Sequence, residues 1–264
     1  MFFLKTFKTQ LIAMAILSIV SFFILGAFFY SSSQNSKELS QTHSEIKNIQ
    51  NIILQLRRNE KDFLARKDLK YQAKYNKNFK KLMASVDKAS IGLKKYSING
   101  EKIQSLKDIL NQYAKNFNAI IDIQQHIGLN PKDGLYGSLR KSVHDLEDLL
   151  KKDVKYKLQV DMLMLRRAEK DFMLRSNLKY LKKFDKSLKV FLADAKQVKL
   201  SNYDEAINLL NNYKKDFYNL VEGYKQIGLT PKSGALGEMR STIHKTDVAL
   251  EELIENVNLV MKNE

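Results

Sequence analysis

The chain has no cysteine and no tryptophan, and only 2 prolines and 10 glycines among its 264 residues. Without thiolates it can build neither a disulfide framework nor a cysteine-ligated zinc or iron–sulfur site, and thiol catalysis is excluded with them. So little proline rules out collagen-like and proline-rich architectures. So few helix breakers in so long a chain point to long helices. Acids are the scarcer charge: 45 lysines and arginines face 29 aspartates and glutamates, a formal net charge of +16. A basic balance of this size suits nucleic acid, an anionic envelope surface or anionic ligands, and location decides among them. Hydrophobic residues make up 44%, which excludes wholesale disorder.

The first positive feature is an apolar run. Residues 11–30, LIAMAILSIVSFFILGAFFY, form 20 residues without a charge. That is the length a helix needs to cross a hydrocarbon core of roughly 30 Å. Lys5 and Lys8 precede the run with no acid, and the next charge is Lys37. The positive-inside rule therefore predicts an inner-membrane anchor, with residues 1–10 cytoplasmic and 31–264 periplasmic. A cleaved signal peptide is the alternative. The run exceeds the roughly 7–15 residues of a usual signal h-region, and bulky Phe28, Phe29 and Tyr30 stand where a small-residue cleavage site would be. An extracytoplasmic chain rarely meets nucleic acid, and neither an aromatic–basic stacking motif nor a recognition helix is visible. No nucleic-acid partner is expected.

The most informative feature is an internal duplication. Residues 56–66 read LRRNEKDFLAR and residues 165–175 read LRRAEKDFMLR, with eight of eleven positions identical at an offset of 109. Residues 127–140 read IGLNPKDGLYGSLR and 227–240 read IGLTPKSGALGEMR, at an offset of 100, which His144 and His244 also keep. Both prolines and six of the ten glycines fall in this second pair.

Each copy is helical in pattern. Ile46, Ile49, Ile53, Leu56, Glu60 and Phe63 recur at steps of three and four, as do Leu158, Met162, Leu165, Glu169 and Phe172. This is bundle spacing, and no strand alternation of similar length appears. Turns are expected from Ile91 to Gly100, from Gly128 to Gly134, at Leu200–Asn202 with Ser201 or Asn202 as helix cap, and from Gly228 to Gly234. Between Ser138 and Glu222 there is neither glycine nor proline. One helix over 134–199 would be about 100 Å long, so a tight turn is placed at Lys151–Lys155. The resulting expectation is an all-α fold: the transmembrane helix, then two stacked four-helix bundles built from six helices. Two of the six are long, at about 38–91 and 155–199. The lower module takes about 35–62 and 173–264, and the upper module about 63–172.

The doubled LRRxEKDFxxR motif after an N-terminal anchor resembles the helical bimodular sensor domain of bacterial methyl-accepting chemotaxis receptors and some sensor kinases, over roughly residues 35–264. The resemblance implies two stacked helical bundles with two long helices, and sensing of small molecules, often organic acids, in the periplasm. A homodimer is also expected. Such receptors continue into a second membrane helix, a HAMP linker and a cytoplasmic signalling hairpin. This sequence stops at Glu264 without them, and is read as a fragment or as a receptor lacking its own output.

Arginines are the candidate ligand contacts. Arg57 and Arg166 flank the apolar stripe at equivalent positions, and Glu60 and Glu169 lie on it, where a charge needs a partner. One reading is a structural ion-pair network. The other is a polar pocket in which arginine grips a carboxylate through its bidentate fork. The two are compatible. The bundle plan groups Arg57, Arg58, Arg175 and Arg240 in the lower module, and Arg66, Arg140, Arg166 and Arg167 in the upper one. The predicted ligand is a small carboxylate. His144 and His244 lack the further ligands a zinc site requires, so no metal and no cofactor is expected. Tyr113, Tyr213, Phe117 and Phe217 read as core. No nucleophile elbow, phosphate loop, HExxH or kinase signature occurs, so no enzyme is expected. Two functions remain: the sensor module of a chemoreceptor or kinase, or an anchored helical structural or interaction protein of the envelope.

Overall fold

The computed structural model describes residues 7–95, 100–153 and 155–263. Among the described residues the protein is all-helical, with eight helices and no strand. They are α1 (Phe7–Arg66), α2 (Lys70–Lys95), α3 (Gly100–Ile127), α4 (Gly134–Lys152), α5 (Tyr156–Arg175), α6 (Lys179–Gln197), α7 (Tyr203–Ile227) and α8 (Gly234–Asn263). The expected turns at 128–134, 151–155, 200–202 and 228–234 all separate helices. Residue 154 of the 151–155 turn, and residues 96–99 of the turn expected before Gly100, lie outside the described residues. Asn202 occupies the N-cap of α7, although its side chain makes no capping hydrogen bond.

The count of six helices, with two long ones at 38–91 and 155–199, is corrected. Both expected long helices break at equivalent places, at 67–69 and at 176–178. Lys67 (φ 53°) and Ser176 (φ 49°) adopt the left-handed conformation that ends a helix. Their amides return to the Phe63 and Phe172 carbonyls, each at 2.7 Å. The next helix is then started by a side chain. Asp68 Oδ1 accepts the Lys70 amide and Asn177 Oδ1 accepts the Lys179 amide, each at 2.9 Å, supplying an acceptor to a helix N-terminus that lacks one.

Glycine is required at the 128–134 and 228–234 turns. Gly128 and Gly228 have φ of 119° and 125°, values L-residues rarely adopt, and a Cβ at Gly228 would run into the Ser233 carbonyl.

The N-terminal part of α1 is long and apolar enough to cross a membrane. Its side chains stand free: Phe22 is 82% exposed and Phe29 77%.

The chain divides into two compact units, Met1–Leu56 with Lys77–Lys107 and Asp247–Glu264, and Arg57–Asn76 with Asp108–Thr246. In the first, apolar faces of four helices are buried: Ile46, Ile49 and Ile53 of α1, Leu82 and Val86 of α2, Ile103 and Leu106 of α3, and Leu250, Leu253 and Val257 of α8. Asn48 donates to Ser85 at 3.0 Å, and Lys107 pairs with Asp87 at 2.6 Å.

In the second unit α5 packs along α6 and α4 along α7, with narrower contacts between α4 and α5 and between α6 and α7. A continuous core joins them, including Leu139, Val143, Leu165, Phe172, Phe184, Tyr213 and Phe217. Phe172 meets Phe217 edge-on at 5.7 Å, and Phe184 meets Tyr213 at 5.2 Å. The first repeat copies this with Phe63 on Phe117 at 5.8 Å and Tyr75 on Tyr113 at 5.9 Å. Each such ring buries roughly 1.5–3 kcal/mol of transfer free energy. The repeats exchange a helix: α4 of the first packs on α7 of the second, and α8 of the second meets α3 of the first where Asn116 donates to Thr242 at 3.0 Å.

Candidate functional site

The site is built around a buried carboxylate. Glu169 lies on the apolar stripe of α5 and is only 1% exposed. Leaving its charge unpaired would cost several kcal/mol, so its partners must be close. Arg166, one turn earlier on the same helix face, donates from Nη1 to both carboxylate oxygens at 2.8 and 2.7 Å. Tyr213 of α7 donates its hydroxyl at 2.7 Å, and Lys170 approaches to 3.1 Å. Arg166 also lies 3.4 Å from Glu147 of α4, which is 3.4 Å from His144. Burial works against the charge on Arg166, but the Glu169 and Glu147 carboxylates outweigh it and raise its pKa. Burial first, and then the Glu169 charge, push the Tyr213 hydroxyl far up, so it remains a donor.

This pairing faces a cavity of about 380 Å³. Its wall comes from the α1–α2 turn (Lys67), the 128–134 turn (Leu129, Asn130, Pro131), α4 (Tyr136, Leu139, Arg140, His144) and α5 (Arg166, Glu169, Lys170, Met173). The chemistry is mixed. Leu129, Leu139 and Met173 are apolar; Lys67, Arg140, Arg166 and Lys170 are cationic; Glu169 is the one carboxylate in the lining. Lys67 donates to the Tyr136 hydroxyl at 2.8 Å, and that hydroxyl shares a hydrogen bond with Tyr224 at 2.7 Å. Burial raises the pKa of Tyr136 and Tyr224, so both stay protonated.

The repeat-equivalent group surrounds Glu60, which is buried. Tyr113 donates to it at 2.6 Å. Burial raises the pKa of Glu60, while the Tyr113 hydrogen bond and the Arg57, Arg240 and Lys61 charges oppose that rise. The two groups are not identical. Ser176 stands at the position equivalent to Lys67, and Leu236 at that of Tyr136.

The sequence-derived arginines separate as follows. Arg140 and Arg166 share the cavity wall. Arg57 and Arg240 both act on Glu60. Arg58 is exposed on α1. Arg175 lies 3.6 Å from Asp171 and 5.9 Å from the Tyr180 ring. Arg66 lies 3.8 Å from Asp62 and 5.7 Å from the Tyr71 ring. Arg167 lines a separate groove with Asp171, Lys183 and Lys186. Sequence reasoning missed Lys67, Tyr136 and Tyr224. Lys67 was hidden by the unexpected turn. Tyr136 could have been found as the one polar aromatic inside the repeated glycine loop. No set of three or more histidine, aspartate or glutamate side chains among the described residues is placed to hold a metal ion.

In comparisons with known proteins, no family model and no curated protein matches the chain.

Proposed function

We propose that the chain is the periplasmic ligand-binding sensor module of a membrane chemoreceptor, anchored by residues 11–30 with its N-terminus in the cytoplasm. In this reading the extracytoplasmic part is two stacked four-helix bundles, the receptor works as a homodimer, and the ligand is a small carboxylate. The observation that carries the reading is the cavity beside Glu169, with an arginine–carboxylate pair already set and Arg140 on the same wall. A guanidinium held by its own carboxylate is a rigid donor array, and a second arginine without such a partner offers its fork to an incoming carboxylate. Apolar Leu129, Leu139 and Met173 would receive the carbon chain. The doubled LRRxEKDF motif and its resemblance to a family of organic-acid sensors supply the biological role. Ligand binding would shift closely spaced packed states of the bundle.

The test is calorimetric titration of the full chain in detergent with two- to five-carbon acids. The wild type should bind at least one of them. Arg140→Ala should weaken that binding about tenfold or more, the scale of one lost charge-assisted contact. Arg240→Ala, beside Glu60, is the comparison. If Arg140→Ala leaves affinity unchanged while Arg240→Ala abolishes it, the ligand sits at the Glu60 group and our placement is refuted.

A further inference from the structure

We propose that the groove between α5 and α6, walled by Arg167, Lys183 and Lys186, binds a phosphate group. It is separate from the cavity beside Glu169 and does not depend on the carboxylate reading.

Part of the repeated motif is used neither by the core nor by that cavity. Leu165, Glu169 and Phe172 are buried, and Arg166 pairs with Glu169. Arg167 serves neither, yet it recurs as the equivalent of Arg58. Further along, Arg66, Lys70, Lys74 and Lys77 recur as Arg175, Lys179, Lys183 and Lys186 at the same offset of 109. All of these cations are exposed in both copies. Exposed positions among them have drifted: Gln55, Ala65 and Ala73 correspond to Met164, Leu174 and Lys182. Substitution on a solvated face costs the fold little, so retention of these charges has another cause.

The packing accounts for some of them. Arg175, Lys179 and Lys183 lie 5.9, 5.0 and 5.3 Å from the centre of the Tyr180 ring. Arg66, Lys70 and Lys74 surround Tyr71 in the same way, at 5.7, 5.1 and 5.4 Å. The negative face of the ring draws each cation in, against their mutual repulsion. Arg167 and Lys186 have no such ring, and both line a groove of about 280 Å³ with Lys183, Ala168, Asp171 and Ser187. Asp171 is the one acid of the lining, and Arg175 lies 3.6 Å from it. Asp185, the nearest acid in the α6 sequence, accepts from Tyr218 at 2.5 Å. Arg167, Lys183 and Lys186 have no ion pair among the described residues.

The two copies differ in ways that favour an anion at the second. Asp68 pairs with Lys70 at 2.8 Å, whereas Asn177 stands at the equivalent place beside Lys179. Ala168 and Ser187 replace Asn59 and Asn78, so two smaller side chains line this groove. Its three cations come from two helices. A carboxylate has one charge and two oxygens in a plane; it fills the guanidinium fork and leaves the two ammonium groups unmatched. A phosphate group carries about −1.5 to −2 charges and three acceptor oxygens, enough for the fork and both lysines. The Ser187 hydroxyl is a further donor in the lining.

The experiment is a phosphorus NMR titration of the full chain in detergent, at one low salt concentration. Inorganic phosphate is one probe, and glucose 6-phosphate stands for a phosphate carried on a sugar. The wild type should shift or broaden the signal of at least one. Binding of inorganic phosphate alone identifies the free ion as the source, and equal or tighter binding of the ester identifies a phosphorylated glycan. Arg167→Gln and Lys186→Gln should each weaken binding by about fivefold, the upper end for one exposed ion contact. Lys77→Gln removes the same charge at the equivalent place in the first copy and should leave binding unchanged. Binding of neither probe overturns the proposal. So does equal weakening by Lys77→Gln, which would make the effect one of net charge. Loss of phosphate binding in Arg140→Ala with full binding in Arg167→Gln would place the anion in the Glu169 cavity and overturn it too.

Discussion

Asp161 is the residue whose replacement should strengthen the protein. It lies on α5, is 9% exposed, and has an oxygen, Oδ2, without a hydrogen-bond partner. The charged groups that bear on it are Asp194 of α6, which repels it, and Lys157. Lys157 sits 2.7 Å from Asp194. Burial, and then the Asp194 charge, raise the Asp161 pKa above the ordinary value. The repeat-equivalent position is Ile52, so this core site accepts an uncharged side chain. Asp161→Asn keeps the shape, removes the charge and gives Asp194 a donor. Relief of one unsatisfied buried group is worth roughly 1–3 kcal/mol. At about 2–4 °C per kcal/mol for a unit of 150–250 residues, Tm should rise by about 2–12 °C. The sign with pH follows from linkage. A carboxyl whose folded pKa is raised holds its proton more tightly in the folded state. It therefore costs no stability below the unfolded value of about 3.9, and costs progressively more as pH climbs through the folded value. The gain from Asp161→Asn should thus be small at about pH 4, grow with pH and level off above the folded pKa. Thermal melts across that range, followed by circular dichroism, provide the check. A variant that is less stable at neutral pH, or whose difference from wild type is flat in pH, would show that Asp161 is not a strained carboxylate.

Asn177→Ala removes the acceptor for the Lys179 amide at the start of α6, and should lower stability by about 1 kcal/mol, whereas Asn177→Asp should retain it; denaturant midpoints of the three proteins settle the matter. For topology, a reporter active only outside the cytoplasm, fused after Glu264, should be active. Activity of a cytoplasm-only reporter at the same position would reverse the orientation drawn from Lys5 and Lys8.

Much of this architecture was legible because its signals are repeated. The glycine–proline loops announced the same turn once in each copy, and the three-and-four stripes announced helices. The turns at 67–69 and 176–178 were not legible in the same way, because they use neither glycine nor proline. Their left-handed residues are a lysine and a serine, and their markers are a single Asp68 and Asn177. Asp and Asn are common inside solvent-facing helix surfaces, so one such residue is faint. Its recurrence before Leu-Lys-Tyr in both copies was the stronger clue. The site followed suit. Arg57 with Arg240, and Arg140 with Arg166, could be paired from the repeat. Arg58 and Arg167 follow them directly in sequence, and one step along a helix turns a side chain by about 100°. Arg66 and Arg175 lie on the last turn, where Asp62 and Asp171 are their neighbours.

The exchange of a fourth helix between repeats has a consequence during synthesis. Helix α4 ends at Lys152, but its partner α7 begins only at Tyr203. At roughly 5–20 residues per second, the ribosome leaves α4 without that partner for several seconds. Through that interval Leu139, Val143, Leu146 and Leu150, all buried in the finished protein, have no α7 to cover them. The nascent chain must be kept from pairing these faces with another molecule, and its two halves, expressed as separate fragments, should be sticky apart and soluble together.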